Sequence, residues 1–366
     1  MERAAAPRQV PGPCYRGCSA AARLHGPMPP SALVIQTAFL GDVVLTTPLL
    51  QALAERHGPV DIVATPQAAA LLETHPAVRQ AIAYDKGGRD RGLGGLLVLA
   101  RRLRAARYDV AYLPHRSLRT AVLAALARIP RRVGFHDGWP LLYTETRRRP
   151  EGGHEIDRIL ALAEVAPHHQ TRPTLGITAS DQAAAVRLLG AAGVGTPFVA
   201  LAPGSIWATK RWAYYPELAN ALARRGVPVA VVGGPEDASL GEAIVAGVRR
   251  NGSAAANACG RLALRESAAL IARAAVLVTN DSAPTHLGAA VETPTVAIFG
   301  PTVPAFGFAP RGPHDQAIGL DGLECRPCHH HGPPTCPLGH HLCMQALRVE
   351  DVMRAIEETG ALRRRD

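Results

Sequence analysis

The chain has 366 residues, and its 40 lysine and arginine side chains against 30 aspartate and glutamate side chains give a formal charge of +10. This length fits two domains of roughly 150 residues, and the positive charge favours an anionic partner such as a phosphorylated substrate, nucleic acid or a membrane surface, unless it forms only a solvated basic face. The sequence has no apolar stretch of membrane length, no signal-peptide core and an odd number of seven cysteines, so it predicts a cytoplasmic protein rather than a membrane-spanning or disulfide-stabilised secreted one.

Residues 1–30 are rich in proline, glycine, alanine and arginine and show no apolar periodicity. This composition predicts a disordered N-terminal extension. Met28 lies just before the first predicted strand, so we expect translation to start there rather than at residue 1.

From residue 32 onward, short apolar strands alternate with helical patterns, which is typical of right-handed βαβ units and a parallel sheet. The segments ALVIQ, VDIVAT and DVAYLP predict a first Rossmann-like α/β domain over residues 31–170, and the pattern VVLTTPLLQALAERHG at 43–58 predicts one helix after the first strand. A polar, proline-containing linker at 166–177 precedes a second series with the strand segments FVALAPG, VPVAVVGG, AVLVTND and TPTVAIFGPT. That series predicts a second Rossmann-like domain over residues 171–366, whose last helix, at 348–362, fits against either domain. Two doubly wound domains joined by one linker indicate a cleft between them.

The loop after the first strand, TAFLGDVVLTTP at 37–48, carries Gly41 and Asp42. A glycine lets a ligand approach the backbone, so we assign Gly41 to a donor site; the aspartate is either a functional carboxylate or a helix N-cap. No G-x-G-x-x-G follows the strand, and no G-x-x-x-x-G-K-[ST] occurs. The main support for a nucleotide-dependent oxidoreductase or a P-loop kinase is therefore missing.

The loop APGSIWATKRW, which begins the segment 202–219, follows the first strand of the second domain and carries Ser205, Thr209, Lys210 and Trp212. The chain has only two lysines, so a lysine in this loop is unusual. It can bring a cation to a diphosphate; the alternative is a surface lysine beside a buried tryptophan that anchors the loop. In GGPEDASL, further along, Glu236 and Asp237 suit ribose hydroxyls or act as electrostatic helix caps.

The segment TNDSAPTHLGAA at 279–290 places polar residues between an apolar strand and a helix of small residues. The unpaired amide groups and the dipole of a helix N-terminus favour an anion. The turn FGPT at 299–302 ends the next strand, so all these loops lie at the carboxyl ends of strands and predict one nucleotide-diphosphate pocket. The donor-site residues predicted here are Asp281, Ser282, Ala283, Thr285, His286, Gly300 and Thr302.

Two further groups of residues, two arginines and four cysteines, each have more than one possible role. Arg116 and Arg119 follow a strand of the first domain and either meet phosphate or carboxylate groups of an acceptor or are exposed helix arginines. The loop at 325–343 contains a C-x-x-C pair and two more cysteines, which suggests structural zinc, but the longer gaps between the others favour reduced thiols or a local disulfide. The four cysteines are Cys325, Cys328, Cys336 and Cys343.

In their order, the motifs LGDVVLTTP, APGSIWATKRW, VVGGPED, TNDSAPTHLGAA and IFGPT resemble the heptosyltransferase family of glycosyltransferases, closest to its heptosyltransferase II type, over about residues 32–357. The resemblance implies the GT-B architecture, with the acceptor held mainly by the first domain and ADP-heptose by the second. It also implies inverting chemistry without metal or cofactor, in which Asp42 is the catalytic base, Lys210 contacts the diphosphate and the Asp281 to His286 segment belongs to the donor site. The sequence SIW at 205–207 departs from relatives with consecutive threonines, which leaves the side-chain contacts of that loop open.

The partners that this resemblance implies are ADP-heptose, a heptosylated lipopolysaccharide inner-core acceptor and the anionic inner face of the cytoplasmic membrane. It implies no nucleic-acid partner. The nearest alternative is a related transferase that uses another nucleotide sugar. A different class, a zinc-dependent nucleic-acid or protein-binding module, would instead use the arginines and the cysteine loop. Steeply salt-sensitive, metal-dependent binding to nucleic acid would favour that module.

Overall fold

The computed structural model describes residues 31–166 and 171–362 and contains two six-stranded sheets, in each of which every pairing is parallel. The predicted disorder of residues 1–30 and the start at Met28 concern a segment outside the described residues. The first sheet has the order β3-β2-β1-β4-β5-β6 and consists of β1 (Ala32–Ile35), β2 (Val60–Ala64), β3 (Val78–Ala83), β4 (Val110–Leu113), β5 (Arg131–Phe135) and β6 (Glu145–Arg147). The second has the order β12-β11-β10-β7-β8-β9 and consists of β7 (Val199–Ala202), β8 (Val229–Val231), β9 (Ala255–Asn257), β10 (Val276–Asn280), β11 (Thr295–Phe299) and β12 (Gln316–Gly319).

Helices cover both faces of each sheet. Those before the boundary between the sheets are α1 (Leu40–Leu45), α2 (Thr47–His57), α3 (Pro66–Leu72), α4 (Gly92–Ala105), α5 (Leu118–Leu126) and α6 (Glu155–Leu160). Those that follow are α7 (Ala179–Ala191), α8 (Tyr215–Arg224), α9 (Ala238–Arg250), α10 (Leu264–Ile271), α11 (Ala283–Ala290), α12 (Leu342–Gln345) and α13 (Val349–Glu358). No helix within the described ranges is long and apolar enough to cross a bilayer.

The buried strands agree with the sequence prediction, and the missed ones lie at or beside sheet edges. The seven predicted apolar runs correspond to β1, β2, β4, β7, β8, β10 and β11. Four of the five unpredicted strands, β3, β6, β9 and β12, are the outermost strands of their sheets. The edge strands β3, β6 and β12 are partly exposed, so their sequences lack a continuous apolar run. The edge strand β9 is buried but is only the tripeptide AAN, too short to be recognised as an apolar run.

The first helical pattern, predicted as one helix from Val43 to Gly58, is two helices. Helix α1 ends at Leu45 and α2 begins at Thr47, with Pro48 in its first turn. Proline lacks the backbone N–H that a continuous helix would need there and is well tolerated in a first turn. The break separates the short helix that carries Asp42 from the longer helix that packs on the first sheet.

Apolar packing also joins the two halves of the molecule. Val44 and Leu71, from α1 and α3, belong to the same buried cluster as Phe198 and Leu287 of the second half. The final helix α13 packs on the second sheet, where Ile356 is fully buried. The predicted domain boundary at residue 170 falls in the four residues that the structure does not describe and stays a prediction.

Candidate active site

Asp42 lies on α1 at the carboxyl end of β1. It is the third residue of the helix, not the N-cap, and its Oδ2 accepts a hydrogen bond of 3.2 Å from the backbone N–H of the N-cap residue, Phe39. The other carboxylate oxygen receives no hydrogen bond from any residue that the structure describes. One oxygen therefore orients the side chain, and the second remains available to a substrate.

The pKa of Asp42 is raised from 3.8 to about 6, chiefly by burial and also by the nearby negative charge of Glu155. The backbone hydrogen bond from Phe39 and the positive charge of Arg149 oppose part of this rise. Glu155 begins α6 and is itself buried between two arginines. Arg149 donates to Glu155 at 2.6 and 2.8 Å, and Arg158 donates to it at 3.1 Å. Sequence analysis missed this ionic cluster because it lies more than 100 residues from Asp42 and forms no local motif.

Gly41 has a packing reason for lacking a side chain. A Cβ built on Gly41 would lie 2.6 Å from Cδ2 of His286, so the glycine lets α1 approach α11 of the other sheet closely. The His286 ring is buried, packs edge-on against Phe308 and has its pKa lowered to about 4, chiefly by burial. This contact brings the Asp42 helix against the segment predicted to bind the donor; a direct contact of Gly41 with the donor stays a prediction.

Lys210 is buried, which contradicts the alternative of a surface lysine. Its Nζ lies 2.6 Å from Oδ2 of Asp281, and the hydroxyl of Thr302 donates to the same oxygen at 2.6 Å. All three residues are buried. The structure thus joins three residues that the sequence placed in separate loops, after β7, β10 and β11.

The loop around Lys210 is anchored from both sides. Trp212 is buried, as expected, and its indole N–H donates to the carbonyl of Leu347 at 2.9 Å. Thr209 donates to the carbonyl of Pro333 at 2.5 Å, and His341 Nε2 lies 2.8 Å from the carbonyl oxygen of Thr209. Because Pro333 and His341 belong to the cysteine-rich loop, that loop supports the lysine segment from behind.

The N-terminal turn of α11 adds backbone donors to the same region. Ser282 is its N-cap residue and Ala283 its first residue. The hydroxyl of Thr285 is fully buried and donates to the carbonyl of Asn280 at 3.0 Å, so this threonine holds the turn in shape. The Asn280 amide donates to the carbonyl of Pro203 at 2.8 Å, which ties the ends of β7 and β10 together.

The remaining predicted donor residues divide into exposed and internal ones. The Glu236 carboxylate is exposed, whereas Asp237 is buried, accepts the N–H of Gly234 at 3.2 Å and therefore acts as a cap. Ser205 is half-buried, with its side chain close to its own loop backbone. Gly300 faces Met344, whose methyl carbon lies 2.7 Å from the place of a Cβ, and its carbonyl accepts from Arg326 at 2.7 Å. Contacts of these residues with a donor stay predictions.

A cationic cluster forms at the carboxyl edge of the first sheet. Arg116 is exposed and pairs with Asp137 at 2.7 Å, while Arg119 is engaged within the domain, donating to the Tyr84 hydroxyl at 2.6 Å and to the Gly92 carbonyl at 2.8 Å. Lys86, which sequence analysis did not select, donates to the carbonyl of Thr37 at 2.7 Å in the loop before Asp42. Arg116 and Lys86 are therefore better placed to meet an anionic acceptor than Arg119.

The four cysteines of the loop 325–343 are free thiols. Cys328 donates to the carbonyl of Cys325 at 2.9 Å, and burial raises the pKa of Cys343 to about 11. In the described ranges, no group of three or more His, Cys, Asp or Glu side chains is arranged to hold a metal ion. The structure gives the predicted zinc-dependent module no ligand set, although the suggested metal site stays untested.

Comparisons with known proteins agree with this architecture. The family model of glycosyltransferase family 9 (heptosyltransferase) matches residues 96–338. Lipopolysaccharide heptosyltransferase 2 of Salmonella typhimurium is 27% identical over 305 residues, covering 75% of this chain and 84% of that protein. Lipooligosaccharide heptosyltransferase 2 of Haemophilus influenzae is 29% identical over 296 residues, with the same coverage of 75% and 84%.

Two solved structures show the same fold over nearly their whole length. A glycosyl transferase of family 9 from Veillonella parvula has a TM-score of 0.79 and 25% identity, covering 90% of this chain and 97% of that one. The ADP-heptose lipopolysaccharide heptosyltransferase II of E. coli has a TM-score of 0.73 and 25% identity, covering 90% and 98%.

Two parallel α/β sheets with candidate site residues at the carboxyl ends of both define the GT-B class of glycosyltransferases, as predicted. Within that class, the chain belongs to glycosyltransferase family 9, the heptosyltransferase family, and is therefore an enzyme. Family membership favours this assignment over the nucleic-acid or protein-binding module.

Proposed function

We propose that this enzyme transfers heptose from ADP-heptose to the heptosylated inner core of a lipopolysaccharide precursor, with inversion at the anomeric carbon. The observation that supports it best is the contact between α1 and α11. Helix α1 carries the Asp42 carboxylate with a pKa of about 6, and Asp281, two residues before α11, binds Lys210. A base on one domain and a cation on the other suit a reaction between two substrates held in a cleft.

In the proposed reaction, Asp42 takes the proton of an acceptor hydroxyl as that oxygen forms a bond to the anomeric carbon of the donor. The bond from that carbon to the diphosphate oxygen breaks, and ADP leaves with the electron pair. A carboxylate whose pKa lies near the working pH is well matched to this proton transfer. Lys210 and the amide groups at the start of α11 stabilise the growing charge on the diphosphate.

The pair formed by Lys210 and Asp281 supplies the preorganisation that such stabilisation requires. The buried ammonium group is held by the Asp281 carboxylate, which also accepts the Thr302 hydroxyl, so it occupies one position and little reorganisation accompanies the departure of ADP. Arg116 and Lys86, on the first sheet, are the groups that we expect to bind phosphate or carboxylate groups of the acceptor.

The choice of sugar and nucleotide rests on the relatives. The similar E. coli structure is that of an ADP-heptose lipopolysaccharide heptosyltransferase II, and the Salmonella and Haemophilus relatives are a lipopolysaccharide and a lipooligosaccharide heptosyltransferase 2. We propose the same donor and acceptor here, and a site of action at the cytoplasmic face of the inner membrane, where a lipid-linked precursor is accessible to a protein that approaches from the cytoplasm.

The test is a transfer assay with purified protein. ADP-heptose and a lipid acceptor that already carries one heptose should yield ADP and an acceptor heavier by one heptose, detected by mass spectrometry. An acceptor without heptose and donors with other nucleotides or hexoses serve as controls. Faster turnover with another nucleotide sugar would favour the related transferase, and preference for the heptose-free acceptor would place the enzyme one step earlier.

A further inference from the structure

The positive charge of this protein is concentrated in one segment. Residues 86–141 contain twelve lysine and arginine side chains and three aspartates, a formal charge of +9 out of +10 for the whole chain. The other 310 residues are therefore almost neutral. Such a distribution is not that of a uniformly solvated basic surface, and it indicates that this segment contributes to binding an anionic partner.

The same segment exposes large apolar side chains. Helix α4 buries Leu96, Leu99 and Leu103 on the first sheet, which directs its opposite side to solvent. On that side the N-terminal half carries Leu97 and Leu93, the latter 76% exposed, together with Val98. Its C-terminal half carries Arg101, Arg102 and Arg104, all exposed.

Two neighbouring elements extend this surface. Helix α5 packs beside α4 and exposes Leu118 and Leu126, eight residues apart and therefore on one side of the helix. The short 3-10 helix Pro140–Leu142 packs against α5, with Trp139 exposed and Leu141 fully exposed. Seven of the twelve large apolar side chains that are exposed in the described part of the chain lie on these three elements.

We define the basic apolar face as the outward sides of α4, α5 and Pro140–Leu142, and we propose that it docks on the surface of an anionic lipid bilayer. Exposed leucines and a tryptophan enter the boundary between headgroups and acyl chains, and arginines extend their apolar stems along it while their guanidinium groups meet lipid phosphates. Nucleic acid would be matched by the three exposed arginines of α4 but not by seven exposed apolar side chains. The combination of these arginines with exposed leucines favours an anionic bilayer over a protein partner or a second copy of the chain.

The position of the basic apolar face is consistent with the proposed function. The biological purpose of docking on a bilayer rests on that function. Helices α4 and α5 both begin at the carboxyl edge of the first sheet, where Arg116 and Lys86 lie. A bilayer against this face would bring a lipid-linked acceptor to the same edge. The docking itself does not depend on the sugar chemistry and can be measured without substrates.

The experiment is co-sedimentation of the full chain with vesicles of phosphatidylglycerol and phosphatidylethanolamine, and with vesicles of phosphatidylcholine alone. The wild type should bind the anionic vesicles and much less the neutral ones, and added salt should weaken the binding. Arg101→Gln with Arg104→Gln should weaken it roughly 25-fold, since one basic residue near an anionic surface contributes about fivefold. Leu97→Ser with Leu141→Ser should weaken it about tenfold or more.

Matched controls come from exposed residues elsewhere. Val186→Ser with Leu338→Ser removes two exposed apolar side chains, and Arg187→Gln with Arg250→Gln removes two exposed arginines, all outside the face. These variants should bind vesicles as the wild type does. Because every changed side chain is exposed, all variants should fold, and unchanged turnover with a water-soluble acceptor verifies this where the transfer assay works; melting temperature verifies it otherwise.

Failure of the wild type to bind anionic vesicles, or equal losses in face and control variants, overturns the proposal. So does a result in which Leu97→Ser with Leu141→Ser leaves vesicle binding unchanged and dissociates an oligomer, measured by sedimentation equilibrium, because the face would then join two copies of the chain. Loss of vesicle binding in both face variants, with binding retained in both controls, supports it. Since no nucleotide or sugar is present, none of these outcomes depends on the proposed donor or acceptor.

Discussion

Gly41 and His286 are in contact across the two halves of the enzyme, with room for no more than a hydrogen atom on the glycine: a Cβ there would lie 2.6 Å from the imidazole Cδ2. Gly41→Ala should therefore separate α1 from α11 and displace Asp42 from the donor side. Turnover should fall by about 10²-fold, because small misplacements of a catalytic group are costly. Steady-state transfer kinetics measure the loss.

Gly190→Ala is the control for that substitution. Gly190 lies within α7 and a Cβ built on it meets no atom within 4 Å, so alanine should leave activity unchanged. Equal turnover in both alanine variants would show that the contact between Gly41 and His286 has no part in catalysis.

Asp42→Asn should abolish most transfer while it preserves the fold. An amide cannot accept the acceptor proton, so we expect a loss of about 10²-fold or more in turnover, whereas calorimetric affinity for ADP stays near that of the wild type. The asparagine oxygen can still accept the N–H of Phe39. Turnover within a few-fold of wild type at saturating substrates would assign Asp42 to helix capping alone.

The same variant has a pH-dependent stability with a definite sign. The folded pKa of Asp42 is raised from 3.8 to about 6, so its contribution to stability is fully present below about pH 4 and is lost as the pH rises through 6. At pH 8 the ionised carboxylate costs at most about 3 kcal/mol, which asparagine avoids. Asp42→Asn should therefore match or exceed the wild type in urea unfolding at pH 8 and lose that advantage at pH 4. If the stability of the variant relative to the wild type were lower at pH 8 than at pH 4, the result would contradict the burial of this charge.

The pH dependence of kcat/KM should change when charges in the ionic cluster around Glu155 are removed. Activity should rise with pH through about 6 as Asp42 ionises. Glu155→Gln removes a negative neighbour and should move this acidic limb to lower pH; Arg149→Gln removes a positive one and should move it to higher pH. Arg148→Gln, at an exposed neighbouring position, should leave it in place. Identical profiles in all three variants would exclude Asp42 as the titrating group.

Lys210 should prove important for both stability and catalysis. Lys210→Met leaves Asp281 buried without its cation, which should cost roughly 3 kcal/mol of unfolding free energy. Adding Asp281→Asn removes the unpaired charge and should recover part of the stability, measured by chemical denaturation, without recovering turnover. A double variant that regains wild-type turnover would make the pair structural rather than catalytic.

Chelation of divalent metal should leave transfer intact, since the proposed charge stabilisation uses Lys210 and the start of α11. The assay is turnover after prolonged dialysis against a chelator. Loss of activity that a divalent cation restores would contradict the metal-independent mechanism, and a fall in melting temperature alone would point to the cysteine loop.

The sequence identified the loops of the candidate site because parallel βαβ topology fixes where the loop after each strand lies. An apolar strand followed by a polar turn and a helix places that turn at the carboxyl edge of its sheet, and so Asp42, Lys210 and Asp281 were found from local pattern alone. Pro48 could also have indicated the break between α1 and α2 in the sequence. The break was missed because the apolar periodicity continues across it. The edge strands β3, β6 and β12 were missed because partial exposure removes the apolar run by which a strand is recognised, and β9 was missed because it has only three residues.

What the sequence by itself determined is therefore the class of fold, the family and the loops that carry the candidate chemistry. Only the tertiary structure decided which side chains meet: the pairing of Lys210 with Asp281, 71 residues apart, and the setting of Asp42 near Glu155. It also decided that the exposed leucines and arginines of α4 lie beside α5 and the short helix Pro140–Leu142, which expose further apolar side chains. Local patterns follow from the backbone geometry of a few consecutive residues, whereas burial, charge proximity and pKa depend on segments brought together by packing, for which neighbouring residues in the chain carry no signal.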